Sequence, residues 1–426
     1  MVDSTFILKG DICYCQDSRT LRTIPNGYLV CEAGRSQGAF ETLPDSYASL
    51  PILDYSGRLI LPGLVDLHVH APQYAFRGLG MDLELLDWLN THTFPEEARY
   101  QDPDYAKGAY ARFVSDVRQG PNTRACVFAT IHEEATVLLM EFLEKSGLVA
   151  MVGKVNMDRN SSADLQEESA EASALATLHW LDRIEGRFSR VTPILTPRFI
   201  PSCTDELLDQ LHAIQQKRKL PVQSHLSENQ GEVEWVRELC PDVSCYGGAY
   251  DAFGLFGGKD CPTVMAHCVL CDETEIALMK ARQVYVAHCP ASNTNLSSGI
   301  APVRRYLDEG IPAGLGSDVA GGTHCSIFRA MADAIKVSKL RWRLVDQSLS
   351  PLSAAEAFYL GTAGGGSFFG KVGSFAKGYE CDILVVDDSR YGSFGNFSVE
   401  DRLERTIYLS EDSDIVHKFV RGMKLF

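Results

Sequence analysis

The middle of the chain alternates between short apolar runs and longer amphipathic segments. Apolar runs with the composition of buried strands lie at residues 59–70, 125–132, 148–158, 190–199, 220–228, 262–268, 283–290 and 311–318. Most segments between them place apolar residues at helical spacing, as in DELLDQLHAIQQKRK. Eight strands that alternate with helices are typical of the (β/α)8 barrel, whose parallel sheet closes on itself. An open doubly wound sheet would alternate in the same way, but no strand leads into the glycine-rich turn of a dinucleotide site.

Both ends of the chain have a different pattern. They consist of short β-type runs, such as FILKGDICYC and DILVVDD, interrupted by glycine, asparagine and serine. Two β sections around a long α/β middle predict one small domain assembled from both termini. We therefore expect an α/β fold in which residues 62–370 form a TIM-like (β/α)8 barrel. Residues 1–61 and 371–426 are expected to form a composite β-sandwich domain.

Composition and charge narrow the class of protein. Of the 426 residues, 45% are hydrophobic and 23% are charged, which is ordinary for a globular protein. The 40 basic and 56 acidic side chains give a net charge of −16, a field that repels nucleic-acid backbones and anionic membranes. No apolar run approaches the roughly 18 residues that span a bilayer, and the N-terminus lacks the marks of a secretory signal. We expect a small neutral substrate, and neither a nucleic-acid nor a membrane partner.

The cysteines bear on the compartment. There are 13 of them, an odd number spread through a large chain. This distribution favours free thiols over a disulfide framework and indicates a reducing, cytoplasmic environment.

Ionisable side chains follow the predicted strands. The eight runs finish in or near His70, His132, Asp158, Arg198, Glu228, His267, His288 and Asp318. Barrel enzymes build their active sites from side chains at the carboxyl ends of several strands. Packing alone does not explain apolar strands that end in such groups, so we expect an active site at this face.

A pair of histidines, His68 and His70, closes the first run. Alternate residues of a strand face the same side, so both imidazoles would point into the mouth of the barrel. Two hydrogen-bonded core histidines would give the same pair. The preceding bend at residues 62–63 and Asp66 on the same face favour metal ligands.

The fifth and eighth runs add the other groups that a metal hydrolase needs. His225 and Glu228 close the fifth run, and Asp318 ends the eighth. Zinc hydrolases use three or four N or O ligands with one open position for water, and a further carboxylate to move protons. Glu228 could instead stabilise a helix N-terminus, and Asp318 could be a helix cap.

Two further histidines end the sixth and seventh runs. His267 is the better candidate to polarise a substrate, whereas we favour a supporting or structural role for His288. His132 and Glu134 match the first half of the H-x-E signature of another deaminase class, but its P-C-x-x-C half is missing.

Several motifs together carry a resemblance. LPGLVDLHVH, SHLSEN, VMAH, AHCPASN and GLGSDVAGG, in this order, resemble the metal-dependent amidohydrolase superfamily. Within it, HVHAPQYAFRG, WLNTHTFP, FATIH, VGKVNMD and TPRF resemble the guanine deaminase family. The similarity runs over about residues 58–370 and is followed by KGYECDILVVD. The turn at residues 120–124 departs from the family pattern.

The resemblance implies a cofactor and a set of catalytic residues. It implies one zinc ion, with iron as the alternative, held by His68, His70, His225 and Asp318. It implies that Glu228 shuttles protons, that His267 donates a hydrogen bond and that Asp318 orients the attacking water. A second metal bridged by a modified lysine is not expected, because the fourth run ends in Arg198 and Lys154 lies on the third.

The resemblance also implies a purine site. Its residues would be His70, Gln73, Trp88, Arg198, Phe199, His225, Glu228 and Asp318. An arginine fork suits the adjacent O6 and N7 acceptors of guanine, and aromatic faces suit a flat base. Residues 74–95 are the segment that we expect to cover the substrate.

The function that follows is the hydrolytic deamination of guanine to xanthine and ammonia. Guanine and water would be the partners, and the resemblance implies a homodimer. Two alternatives remain open. A related amidohydrolase could deaminate or dechlorinate another aminated heterocycle, and a non-catalytic scaffold could have kept the fold without its metal, although all four ligands are present here.

Overall fold

A computed structural model gives the structure of the protein and describes residues 4–392 and 395–426. The N-terminal section contains β1 (Phe6–Cys15), β2 (Leu21–Glu32), β3 (Arg35–Phe40) and β4 (Ile52–Pro62). The middle section contains β5 (Leu64–His70), β6 (Asn122–Phe128), β7 (Val149–Gly153), β8 (Val155–Asn156), β9 (Val191–Pro193), β10 (Thr196–Pro197), β11 (Val222–Leu226), β12 (Thr263–His267), β13 (Tyr285–His288) and β14 (Ala313–Leu315). The C-terminal section contains β15 (Ile383–Val386), β16 (Ile415–Val420) and β17 (Met423–Lys424).

The α-helices lie mostly between the middle strands. They are α1 (Leu85–Trp88), α2 (Phe94–Ala98), α3 (Pro103–Gln119), α4 (Glu133–Ser146), α5 (Ala170–Ile184), α6 (Asp205–Arg218), α7 (Gln230–Leu239), α8 (Tyr246–Ala252), α9 (Glu273–Arg282), α10 (Pro290–Asn295), α11 (Val303–Asp308), α12 (Ile327–Leu344), α13 (Ala354–Tyr359) and α14 (Val399–Leu409). Local chemistry sets their ends. The Thr204 hydroxyl caps α6 by accepting from Leu207 N, and Gly147 ends α4 with a φ of 84°. Within the described ranges, no helix has the length and apolar character needed to cross a lipid bilayer.

Parallel strands form the centre of the middle section, which confirms the predicted parallel α/β arrangement. One sheet has the order β5-β6-β7-β9 and another the order β11-β12-β13-β14, while β8 and β10 pair separately. Two predicted runs are divided, into β7 and β8 and into β9 and β10. Pro193 and Pro197 explain the second division, because proline has no N–H to donate to a neighbouring strand.

Hydrogen bonds join the two four-stranded sheets at both of their edges. On one side, Leu195 N donates to Pro221 O and Gln223 N donates to Leu195 O, each at 2.9 Å. On the other side, Asp318 N donates to His68 O at 2.8 Å. The first and last strands of the middle section therefore meet where they carry ionisable side chains.

Strands from both chain ends share one sheet, as the sequence pattern predicts. Its order is β17-β16-β15-β4-β1-β2-β3, with β1 and β4 parallel and the other pairs antiparallel. The hydrogen bonds make one continuous sheet that curls back on itself, because Cys381 N donates to Gly34 O and Ser36 N donates to Tyr379 O, each at 2.8 Å. Register shifts near Gly10 interrupt the pairing of β1 with both of its neighbours. Such bulges bend long strands, and apolar side chains from these strands form a separate core cluster.

Two buried cations attach this sheet to the middle section. The Arg124 guanidinium, at the start of β6, donates to Asp382 at 2.6 Å and to Glu380 at 2.5 Å. The Lys418 Nζ on β16 donates to three carbonyl oxygens at the end of α3, those of Val117, Arg118 and Gly120. Burial lowers the pKa of Lys418 to about 7. All 13 cysteines lie in the described ranges and are free thiols.

Candidate active site

Three imidazoles and one carboxylate meet where β5, β11 and β14 end. His70 Nε2 lies 3.2 Å from His68 Nε2 and 3.2 Å from His225 Nε2. Asp318 Oδ1 lies 3.1 Å from His68 Nε2 and 3.5 Å from His70 Nε2. The structure therefore brings together the four residues that the sequence predicts as metal ligands.

Burial disfavours the charged form of all three imidazoles, and the tautomer of His225 directs a lone pair into the cluster. Burial lowers the pKa of His68, and lowers the pKa values of His70 and His225 well below the ordinary histidine value. The neutral His225 ring donates through Nδ1 to the Arg198 carbonyl oxygen at 2.6 Å, so its Nε2 has no hydrogen. Burial alone would raise the pKa of Asp318, but the adjacent His68 imidazole lowers it below its ordinary range.

This donor set has the composition and spacing of a metal site. Zinc takes imidazole nitrogen and carboxylate oxygen at about 2.0–2.2 Å, which separates two ligand atoms of a tetrahedron by about 3.3 Å. Four of the six distances between the ligand atoms are 3.1 to 3.5 Å. His68, His70, His225 and Asp318 could therefore hold one divalent ion.

A buried carboxylate, Asp66, fixes two of these ligands relative to each other. Its Oδ1 accepts from His68 N at 3.2 Å and from Ser317 N at 2.9 Å, and its Oδ2 accepts from the Ser317 hydroxyl at 2.6 Å. Burial raises the pKa of Asp66 to about 7. Asp66 thus joins β5 to the segment that carries Asp318.

The aromatic ring of Phe128, the last residue of β6, packs against three of the imidazoles. Its centroid lies 4.6 Å from that of His70, 4.9 Å from that of His68 and 5.0 Å from that of His225. The sequence analysis did not single out Phe128, because an apolar residue at a strand end has the appearance of ordinary core. Its position limits the movement of the three rings.

Glu228 and His267 lie next to this cluster. Glu228 Oε2 is 3.2 Å from His267 Nε2, and the Ser298 hydroxyl donates to Glu228 Oε1 at 3.3 Å. Burial, together with the nearby charge of Asp318, raises the pKa of Glu228 well above its ordinary value. His267 Nδ1 contacts Asn293 Oδ1 at 2.9 Å. This pair can exchange a proton beside the cluster.

Two of these residues have unusual backbone conformations. The φ angles are 73° for His267 and 45° for Asp318, in the left-handed region that non-glycine residues rarely adopt. Strained residues of this kind concentrate at functional sites.

A cavity opens over the cluster. Besides the metal ligands and Glu228, the sequence predicted four residues of the purine site, and all four line this cavity: Gln73, Trp88, Arg198 and Phe199. Leu85, Trp88 and Leu89 form one wall, so the segment predicted to cover the substrate does line the site.

Three of the ionisable residues near predicted strand ends do not line this cavity. His132 precedes α4, because β6 ends four residues earlier at Phe128. Asp158 accepts from the backbone N and the hydroxyl of Thr204, and so anchors the start of α6. His288 is buried, and burial lowers its pKa to about 3.

One buried carboxylate at the site escaped the sequence analysis. Glu97, on α2, accepts hydrogen bonds from both Arg198 and Gln73. In the sequence it follows WLNTHTFP as one of two adjacent glutamates, a pattern that is typical of the solvated face of a helix. Only its burial and its contacts distinguish it from Glu96.

Comparison with known proteins agrees with this geometry. The amidohydrolase family matches residues 59–424. A guanine deaminase from Dictyostelium discoideum is 39% identical over 382 residues, which cover 88% of this chain and 84% of the relative. The guanine deaminase of Homo sapiens is 38% identical, with 86% of this chain and 82% of the relative covered.

A solved structure is similar over nearly the whole chain. It is a guanine deaminase from C. acetobutylicum with guanine bound in its active site, 44% identical, with a TM-score of 0.96 and coverage of 99% of this chain and 100% of the other. The similarity shows that the α/β middle has the TIM-barrel-like amidohydrolase fold. The chain therefore belongs to the amidohydrolase family of metal-dependent hydrolases, and the relatives named above are guanine deaminases.

Proposed function

We propose that the protein catalyses the hydrolytic deamination of guanine to xanthine and ammonia, with one zinc ion as cofactor. The observation that carries this proposal is the convergence of three neutral imidazoles and one carboxylate at the floor of a cavity. The same chain resembles, over 99% of its length, a guanine deaminase with guanine bound. A role in purine catabolism or salvage follows from that reaction.

The cofactor would be held by the donor set at the ends of β5, β11 and β14. Its residues are His68, His70, His225 and Asp318. When bound, zinc would supply the Lewis acidity that lowers the pKa of a water molecule to about 7. The same N and O donors accept iron, but the four distances of 3.1 to 3.5 Å between ligand atoms fit the spacing of a zinc site.

The protein side chains would move the protons. Asp318, ionised at neutral pH, accepts a proton from the attacking water and orients it toward C2 of the base. Glu228 keeps a proton at neutral pH because its pKa is raised by burial. It delivers its proton to the ring nitrogen beside C2, takes up the second proton of the attacking water and passes that proton to the leaving amine. The proton that Asp318 holds then returns Glu228 to its starting state. His267 Nε2 lies between Glu228 and Asp318, at 3.2 and 3.8 Å from their nearest oxygens, where it can hydrogen-bond the tetrahedral centre.

The rest of the cavity would recognise the base. Arg198 can direct the edge of its guanidinium that is free of Glu97 toward the adjacent O6 and N7 acceptors. Trp88 and Phe199 offer aromatic surface to the flat ring, and Gln73 offers its amide. His70, His225, Glu228 and Asp318 would contact the end of the base that carries the amine.

The architecture around the site completes the proposal. We infer that the two parallel sheets close into one eight-stranded barrel within residues 62–370, supported by the hydrogen bonds at both of their edges. Residues 1–61 and 371–426 would form the composite domain, supported by the shared terminal sheet. The free thiols support a cytoplasmic location, and the homodimer stays a prediction from the resemblance.

An ammonia-release assay would test the function. The purified protein, supplied with zinc, is given guanine, adenine, cytosine and an aminated triazine in parallel, and the products are identified by chromatography. We expect release from guanine with xanthine as product. Faster release from another heterocycle would identify a related deaminase, and the absence of both a stoichiometric metal and any release would identify a scaffold.

A further inference from the structure

Glu97 is a buried carboxylate that holds two substrate-facing side chains at once. It is 2% exposed and lies on α2. Its Oε1 accepts from Gln73 Nε2 at 2.9 Å and from Arg198 Nη2 at 3.1 Å, and its Oε2 accepts from Arg198 Nη1 at 2.6 Å. Gln73 and Arg198 are themselves 2% and 3% exposed and line the cavity over the metal ligands.

The chemistry of these contacts requires a carboxylate. All three partner atoms are donors, and an ionised carboxylate is the side-chain group that only accepts. The pairing of Glu97 with Arg198 has the bidentate geometry of strong, charge-assisted hydrogen bonds. Because both charges are buried, neither side chain can turn away without leaving the other uncompensated. Phe94, also on α2, flanks the guanidinium at 5.3 Å from its ring centroid.

The hydrogen bond to Glu97 also determines how the Gln73 amide is oriented. Its Nε2 donates to Glu97, and its Oε1 accepts from Ala320 N at 3.1 Å. Ala320 lies two residues after Asp318, so the hydrogen bonds run from Arg198 through Glu97 and Gln73 to the loop that follows a metal ligand. The two ends of the amide therefore have assigned directions, and one N–H of Gln73 remains free for a ligand.

We propose that Glu97 is a positioning residue that sets the selectivity of the site among purine bases, a role that rests on the proposed deamination of guanine. By engaging one edge of the Arg198 guanidinium, Glu97 leaves the Nε edge to meet two adjacent acceptors of the base. Guanine offers O6 and N7 as such a pair. A base that lacks O6 loses half of this contact, although it carries the same amine at C2.

The isosteric variant Glu97→Gln tests this role. Whichever way its amide is turned, an N–H group faces at least one of the three donors, so a hydrogen bond is replaced by a repulsive contact. The kcat/KM values for guanine and for 2-aminopurine, which keeps the C2 amine and lacks O6, are measured for wild type and variant. We expect the preference for guanine to fall at least tenfold, mainly through a higher KM for guanine, with the bound metal content unchanged.

The neighbouring glutamate provides a matched control. Glu96 is on the same helix and contacts Arg99 and Tyr105 instead of the cavity residues. Glu96→Gln should therefore leave the guanine preference within about twofold of wild type. An equal loss of preference in both variants would overturn the proposal, because it would indicate a general disturbance of α2.

A crystal structure of Glu97→Gln provides a second readout. We expect the Arg198 guanidinium or the Gln73 amide to leave its present position. If Arg198 and Gln73 stay in place in this variant and its preference for guanine is unchanged, the role proposed for Glu97 is wrong. Guanine turnover by the same variant would still support the proposed function. A wild-type protein that releases no ammonia from guanine would instead refute the proposed function and the selectivity role with it.

A double variant that carries no buried charge at either position provides the test if Glu97→Gln does not fold. Combining Glu97→Gln with Arg198→Gln removes both buried charges. If Glu97 acts through Arg198, the guanine preference of this double variant equals that of Arg198→Gln alone. A preference at least fivefold below that of Arg198→Gln would overturn the proposed route.

Discussion

The backbone carbonyl oxygen of Arg198 accepts a hydrogen bond from His225 Nδ1 at 2.6 Å, while the Arg198 side chain reaches into the cavity. One residue thus orients an imidazole of the proposed metal site and supplies a donor to the proposed substrate site. Arg198 directly follows β10, next to β11, which carries His225. A shift of this short segment would disturb the metal site and the substrate site together.

Glu228→Gln should abolish turnover and leave the metal bound. The amide preserves the shape of the side chain but cannot shuttle a proton, and such groups contribute about 10²- to 10⁴-fold to rate. Turnover of guanine and metal content by mass spectrometry would be measured on the same preparation. Near-normal turnover by this variant would contradict the shuttle role.

His225→Ala should lose metal and activity together. Removing one of four ligands leaves a donor set below the number that zinc sites require. His179 offers a matched control, because its exposed ring contacts Glu133 on the surface, far from the ligands in the fold. His179→Ala should keep a stoichiometric metal, and a His225→Ala protein that also kept it would argue against this ligand assignment.

Phe128→Ala should weaken metal binding without removing a ligand. Loss of the ring frees three imidazoles to adopt other rotamers, so we expect affinity for zinc to fall about tenfold or more in a chelator competition. The space left by the missing ring should also lower the free energy of unfolding by about 3–5 kcal/mol. Phe256→Ala, another fully buried position that is away from the cluster, should cost similar stability with unchanged zinc affinity.

Arg198→Lys should raise KM for guanine more than it lowers kcat. Lysine keeps a positive charge near Glu97 but lacks the planar fork, and the loss of a bidentate contact to O6 and N7 is worth about 1–3 kcal/mol. Steady-state kinetics would show this as a fall of roughly five- to 150-fold in kcat/KM. An unchanged KM would show that the guanidinium does not contact the base.

Lys418 should make stability increase with pH in the alkaline range. Its pKa is about 7 in the folded protein and about 10.4 in an unfolded chain, so between these values the unfolded state binds more protons. Stability therefore rises with pH over that window, by up to about 4 kcal/mol. The free energy of unfolding, measured by urea denaturation at pH 7, 8.5 and 10, should rise with pH more in wild type than in Lys418→Met. The same pH dependence in both proteins would contradict this prediction.

The sequence predicted the features that depend on one segment at a time. Alternation along a strand places His68 and His70 on one side, and the regular alternation of apolar runs with helical segments predicts the parallel middle section. The convergence of ligands from distant strands was predicted with the help of the family resemblance, but other contacts between distant segments were out of reach. Glu97 functions because it meets Arg198, about a hundred positions away, and Phe128 because three imidazoles pack on it.

The errors have equally specific causes. His132 lies beyond the strand end because β6 stops at Phe128, a boundary that a continuous apolar run does not reveal. The order of the strands within the shared terminal sheet was not predicted, because the pairing of particular strands, as of β4 with β15, leaves no trace in local periodicity. Alternation predicts strands but does not determine which strands become neighbours.

The bridge that Asp66 makes between His68 and Ser317 has a bearing on how the protein matures. It aligns two proposed metal ligands, His68 on the first strand of the middle section and Asp318 after the last. A nascent chain therefore cannot assemble both until nearly all of that section has been synthesised. Uptake of the proposed ion would then be a late event, and a chain truncated before Asp318 would be unable to sequester it. Retention of the ion would in this way report that synthesis had passed the end of the middle section.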